Sequence, residues 1–137
     1  MKLNECQTVE QFSDYIMGVD YQDEFGTYKE WCDALEPVIA RLQGEYLVKV
    51  FIPMVNHNIL NGNTVRLYRS QTDDSIARDG YGMHWTTSKD DTLGKANLMM
   101  DFDLRLPHIA FSNGLDVLVE FVIPQSSLVK CTIVNIN

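Results

Sequence analysis

Cysteine is scarce in this 137-residue sequence, and the three present, Cys6, Cys32 and Cys131, are widely separated and outside any CxxC arrangement. That pattern excludes a disulfide framework and a CxxC-type zinc site, and it fits a reducing, cytoplasmic setting. Basic residues are also few: Lys and Arg total 11 against 19 Asp and Glu, for a net charge of -8. Nucleic-acid binders draw much of their affinity from Lys and Arg on phosphates, so no direct nucleic-acid binding is expected. An anionic membrane surface is an equally poor partner. No apolar run approaches the ~20 residues that a membrane span requires. The opening stretch MKLNECQTVEQ turns polar at once and has no apolar h-region, so no signal peptide is expected. The phosphate-cradling GxxxxGK(S/T), the dinucleotide GxGxxG, the zincin HExxH and the hydrolase GxSxG are all missing. His57, His84 and His108 lie far apart and are expected as surface or packed residues rather than metal ligands.

What is present suits one domain: the length is ordinary for a single core, and 45% of the residues are hydrophobic. A helical lead-in is expected over 1–43 and a sheet-rich core over 44–137. Thr8 and Gln11 read as a capping box, after which Val9, Phe12, Ile16 and Met17 share a helical face that ends at Gly18. Segment 19–26 reads as an acidic connector. Thr27 and Glu30 open a second helix carrying Trp31, Leu35, Val38, Ile39 and Leu42, with a kink or a restart expected at Pro37 and an end at Gly44. Strands are expected over 46–55, 64–69, 83–87, 117–123 and 128–136. Loops are expected over 56–63, where Asn61-Gly62 signals a turn, and over 70–82; 101–114 reads as irregular. Segment 88–100, with Ser88 as cap and acids in its first turn, reads as a helix. The expected class is α+β: N-terminal helices followed by a mostly antiparallel sheet with one inserted helix.

One constellation carries chemistry. Val65-Arg66-Leu67-Tyr68-Arg69-Ser70 closes a strand, and a polar, Gly-bearing loop follows. Gly82-Met83-His84-Trp85-Thr86-Thr87-Ser88 then forms a second strand running into the expected helix with Ala96. This resembles the core of ADP-ribosyltransferases of the Arg / Ser-Thr-Ser / Glu group, over roughly residues 27–137. The resemblance implies an ADP-ribosyltransferase-like fold, NAD as the cofactor, and transfer of ADP-ribose to a macromolecular, most simply protein, target. Such a transfer passes through an oxocarbenium-like sugar, much as in glycoside hydrolysis, and a nearby carboxylate stabilises it. The NAD phosphates and ribose call for an Arg fork and backbone donors.

By that resemblance Arg69 faces NAD, and Thr86, with Thr87, matches the family's hydroxyls. Trp85 packs beside the nicotinamide or supports the strand, and Tyr81 lies on the nicotinamide ring. Ser70 and His84 complete the cofactor-binding set; Arg69, Thr86 and Glu120 form the catalytic set. The sequence departs from the pattern in three places. Ser70 stands where the family usually has Gly, and His84 opens the hydroxyl triplet. No Glu follows the last expected strand: the final acidic residue is Glu120, one strand early. Glu120 reads either as a displaced catalytic acid or, from the alternation in VLVEFVI, as an outward strand residue. Without a carboxylate in place, binding would survive better than turnover, because the transition-state charge would lack its partner.

A second reading needs no NAD. A small acidic chain can act as an inhibitor or adaptor that covers a basic protein surface, as phage anti-defence proteins do, and in its sharpest form as a DNA mimic. The contact candidates are the clusters Asp14, Asp20, Asp23 and Glu24; Asp73 and Asp74; and Asp90 and Asp91. Such binding would be salt-sensitive. A third reading is a subunit of a larger assembly with no chemistry of its own.

Overall fold

A computed structural model describes residues 2–46, 60–88, 95–112 and 119–136. After a short 3-10 turn at Leu3–Glu5, helix α1 spans Val9–Gly18. The Thr8 hydroxyl accepts from Gln11 N at 3.1 Å, and Gln11 Oε1 reaches back to the amide of Gln7, not Thr8, at 2.8 Å. Val9, Phe12 and Ile16 are buried as their spacing requires, but Met17 is 64% exposed. Met17 lies about 100° around the helix from Ile16, beyond the buried stripe.

The expected acidic connector contains a helix, α2 (Tyr21–Phe25). Asp20 nucleates it by accepting from the amides of Gln22 and Asp23 at 3.0 and 3.4 Å. Gly26, at φ 82°, ends it. We expect Asp20→Ala to cost about 1 kcal/mol, seen as a fall in Tm of roughly 3–5 °C in a thermal melt; an unchanged melt would show the cap to be idle. Helix α3 runs Tyr28–Tyr46, past Gly44. Trp31, Leu35, Val38, Ile39 and Leu42 are all buried on it. Pro37 lies within the helix rather than restarting it. Residues 47–55 of the first expected strand lie outside the described residues.

Two-residue strand β1 (Leu60–Asn61) turns through Gly62, at φ 64°, into β2 (Thr64–Arg69). The expected loop at 70–82 holds helix α4 (Asp73–Asp79), capped by the Thr72 hydroxyl on Ser75 N. Strands β3 (His84–Thr86), β4 (Leu98–Asp103), β5 (Ile109–Ser112) and β6 (Val119–Val122) follow, then helix α5 (Gln125–Leu128) and β7 (Val134–Asn135).

Three expectations are corrected here. The inserted helix expected over 88–100 is not formed over 95–100, and 89–94 lie outside the described residues. Leu98, Met100 and Phe102 are buried while Asp101 is exposed, so the period is two, and β4 pairs with β2 along six residues. The irregular 101–114 contains the end of β4 and all of β5. The expected strand at 128–136 is mostly absent. Pro124 precedes α5, whose Ser126 amide and hydroxyl are both held by the Glu36 carboxylate of α3, at 3.1 and 2.9 Å.

The sheet order is β5-β6-β3-β2-β4-β7, with β1 paired to β2, and every pairing is antiparallel. The chain is therefore α+β. Lead-in helices and sheet share one hydrophobic cluster that joins Phe12, Leu35 and Ile39 to Leu67, Phe102 and Phe121. Among the described residues no helix is long and apolar enough to cross a membrane.

Candidate functional site

The strands carrying the chemical constellation are neighbours in the sheet. Tyr68 on β2 is level with Thr86 on β3, which is level with Glu120 on β6. Residues directly opposite in an antiparallel pair share a face, so Tyr68, Thr86 and Glu120 form one row. Arg69 belongs by alternation to the other face, the one bearing Val65 and Leu67. It ends β2, however, and its guanidinium passes beside β3: Nη1 donates to the His84 carbonyl at 2.8 Å and Nε donates to Gln71 Oε1 at 2.9 Å.

Arg69 and His84 each line two cavities. One, of about 150 Å³, is lined by Tyr68, Thr86, Phe111 and Glu120 together with Arg69 and His84. The other, of about 290 Å³, lies against the lead-in helices and is lined by Val19, Tyr21, Tyr28 and Trp31, again with Arg69 and His84. The aromatic wall is ordered by ring contacts. Tyr21 stacks on Trp31 at 6.3 Å and meets Tyr28 edge-on at 5.6 Å. Such a wall offers flat apolar surface, and the guanidinium offers a planar cationic fork.

Burial lowers the Arg69 pKa, offset by the Tyr28 hydroxyl, yet a guanidinium remains a cation at neutral pH. No carboxylate among the described residues pairs with it. Arg66 pairs instead with Asp101, and Arg105 with Asp103. Burial pushes the Tyr28 hydroxyl well above its ordinary range, so it stays protonated. His84 is shifted down by desolvation and by the Arg69 charge. Its pKa falls to about 4, so the imidazole is neutral at pH 7.

The remaining expected residues are placed as follows. Trp85 is buried at 2% exposure with Nε1 donating to Gly82 O at 2.9 Å, so its ring supports the strand. Tyr81 is half-buried against the core, and its carbonyl accepts from Gln125 Nε2 at 3.1 Å. Ser70 is exposed just past β2, and Thr87 is half-buried just past β3. Thr86 Oγ1 accepts from Ser88 N at 3.2 Å. Of the histidines, His57 lies outside the described residues and His108 is buried in the core.

Sequence reasoning missed the helix residues Tyr21, Tyr28 and Trp31 as lining, because their aromatic spacing reads as ordinary core. It also missed Gln71 and Gly82, which touch Arg69 directly. Gly82 carried a weak signal: glycine is the residue that lets another group come close to the backbone, here the Arg69 side chain.

A separate concavity of about 580 Å³ lies between α1 and α2, and Asp14, Asp20, Asp23 and Glu24 converge on it. Asp20 caps α2, and Glu24 Oε2 accepts from the Tyr15 hydroxyl at 2.6 Å. Asp73 and Asp74 sit in the first turn of α4, while Asp90 and Asp91 lie outside the described residues. No family model, no curated protein and no solved structure matches the chain.

Proposed function

We propose that this chain is an ADP-ribosyltransferase-like protein that binds NAD at Arg69 and transfers ADP-ribose to a macromolecular target. The observation that carries the reading is an arginine that lines two cavities and has no carboxylate partner among the described residues. Sites for small organic ligands usually span about 300–1,000 Å³. Neither cavity alone would take a whole dinucleotide; the larger, about 290 Å³, comes near the lower end of that range and would take one half of it.

NAD would supply an activated bond between ribose and nicotinamide. In this reading Arg69 binds a phosphate through its Nη edge, and the Tyr21–Tyr28–Trp31 wall covers a flat ring. Thr86 orients a ribose hydroxyl. The Glu120 carboxylate, beside Thr86 in the register, faces the positive charge that develops on the sugar and accepts the proton of the incoming nucleophile. Titration with NAD, followed by assay of released nicotinamide, tests this. Saturable binding is expected. Glu120→Gln should keep affinity within a few-fold and lower turnover by roughly 100–1,000-fold, the usual effect of removing one transition-state electrostatic partner. No binding at millimolar NAD would overturn the reading.

The alternative, an acidic inhibitor or adaptor for a basic protein surface, is favoured by the convergence of Asp14, Asp20, Asp23 and Glu24 on one concavity. It requires complex formation that weakens with salt, ignores NAD and is lost on charge reversal of that cluster.

A further inference from the structure

Gln71 is a buried polar side chain, 8% exposed, in the segment between β2 and α4. Every hydrogen-bonding position of its side-chain amide is occupied. Oε1 accepts from Arg69 Nε and from Gly82 N, both at 2.9 Å. Nε2 donates to Ser75 Oγ at 3.1 Å and to Gly80 O at 2.9 Å. An amide has two acceptor sites and two donors, so this set fixes its orientation. The Gln71 backbone is held as firmly: its amide donates to Asn97 Oδ1 at 2.9 Å and its carbonyl accepts from Asn97 Nδ2 at 2.7 Å. One residue thus ties α4, the Gly80–Gly82 bend and the sheet to the root of the Arg69 guanidinium.

The chemistry of the acceptor matters. A carboxylate at position 71 would hold Nε as well, and would also cancel the guanidinium charge. A neutral amide holds the same hydrogen bond and leaves the cation uncompensated. With Nε on Gln71 and Nη1 on the His84 carbonyl, the Nη2 end lies against Gly82 without a hydrogen-bond partner among the described residues. No side-chain polar atom among them is both fully buried and unpartnered, so Nη2 reaches the space around it.

We infer that Gln71 is the positioning residue for Arg69, aiming its Nη edge at the cavities while leaving its charge available to an anionic ligand. The inference rests on the reading of Arg69 as the ligand-facing cation. A merely structural Gln71 would matter to stability alone; a positioning Gln71 matters to the arginine itself.

The test uses Gln71→Glu and Gln71→Ala in the full chain, with two readouts. The first is NAD affinity. Gln71→Glu should melt cooperatively yet bind NAD roughly 10–100-fold more weakly, the equivalent of one charge-assisted hydrogen bond. Wild-type affinity in Gln71→Glu would overturn the claim about charge. The second readout needs no ligand: the Arg69 Nε–H resonance of the free protein in 15N NMR. In the wild type this hydrogen should exchange slowly with solvent; in Gln71→Ala the protection should be lost, and an unaltered Nε–H would overturn the positioning claim. If Gln71→Ala fails to fold, the Gln71→Glu spectrum decides, with Nε–H shifted downfield by the carboxylate if Gln71 contacts it and unmoved if not. Should the wild type not bind NAD at all, the transferase reading fails, and the Nε–H readout still settles whether Gln71 directs Arg69.

Discussion

Arg69→Ala should weaken NAD binding by roughly a hundredfold or more, and Gly82→Ala should reproduce most of that loss with the arginine still in the chain. The first expectation follows from charge-assisted hydrogen bonds of about 1.5–3 kcal/mol each, with two at stake when a guanidinium edge grips a phosphate. The second follows from sterics. A Cβ on Gly82 would overlap the Nη2 and Cζ atoms of Arg69. Gly82 has no positive φ, so its backbone accepts alanine. What must yield is the whole guanidinium, Nε included, so its hydrogen bonds to Gln71 and the His84 carbonyl are lost with it. Gly82→Ala should therefore still melt cooperatively, lower by the roughly 1 kcal/mol that each such bond contributes, while failing to bind. Isothermal titration beside a thermal melt separates the two effects. Wild-type affinity in Gly82→Ala would mean that the guanidinium is not where the ligand sits.

Acid should destabilise the fold well before its carboxylates titrate. His108 is fully buried. It stacks on Phe121 at 5.5 Å and meets Phe102 edge-on at 5.1 Å. Its Nδ1 lies 2.6 Å from the Leu106 carbonyl, which assigns the proton of the neutral ring to Nδ1 as the donor. Burial pushes its pKa down from 6.5 to about 4, against the opposing pull of that carbonyl. The folded state resists protonation, so the unfolded chain binds the extra proton between those two values. The stability from a neutral His108 is whole above pH 6.5 and is lost as pH falls toward 4. The shift corresponds to about 3 kcal/mol. Asp103, held near 2 by Arg105, titrates below this window. Urea unfolding across the range should show the decline, and His108→Phe should remove the larger part of it, leaving the smaller share of the solvent-exposed His84. A wild-type stability that stays level down to pH 4.5 would refute the assignment.

Much of the scaffold was legible because its signals are local. Thr64–Arg69 reads directly from the apolar alternation of Val65 and Leu67, and the α1 and α3 faces from apolar spacing. The mistakes came where two local signals competed. Over 88–100 the Ser88 cap and the first-turn acids suggested a helix, but from Leu98 onward pairing with β2 rewards the two-residue period of Leu98, Met100 and Phe102. At α4 the composition is mostly polar, with Ile76 packing on the core, too little to mark a buried face; the Thr72 cap is what distinguishes it from a loop. At 128–136 the apolar residues suggested a strand, while Pro124 and the remote Glu36 favour a helical turn. For the candidate site, the residue types were readable but the adjacency of the Arg69 and Thr86 strands was not; it comes from the pairing of β2 with β3. The aromatic wall is brought in by tertiary packing from the lead-in helices, and Gln71, though only two residues from Arg69, reads as an ordinary polar loop residue.

The Glu36 link to Ser126 bridges 90 residues of sequence. During synthesis on the ribosome, α3 therefore emerges long before the segment that its carboxylate restrains. The central strand β2 must likewise wait for β4 on one flank, and β4 for β7 on the other. A growing chain of this topology would expose apolar helix faces until its last stretch is made, because distant pairings repay their ordering cost only at the end. Nascent-chain aggregation, or dependence on a holding chaperone, is the cellular cost of that order of assembly.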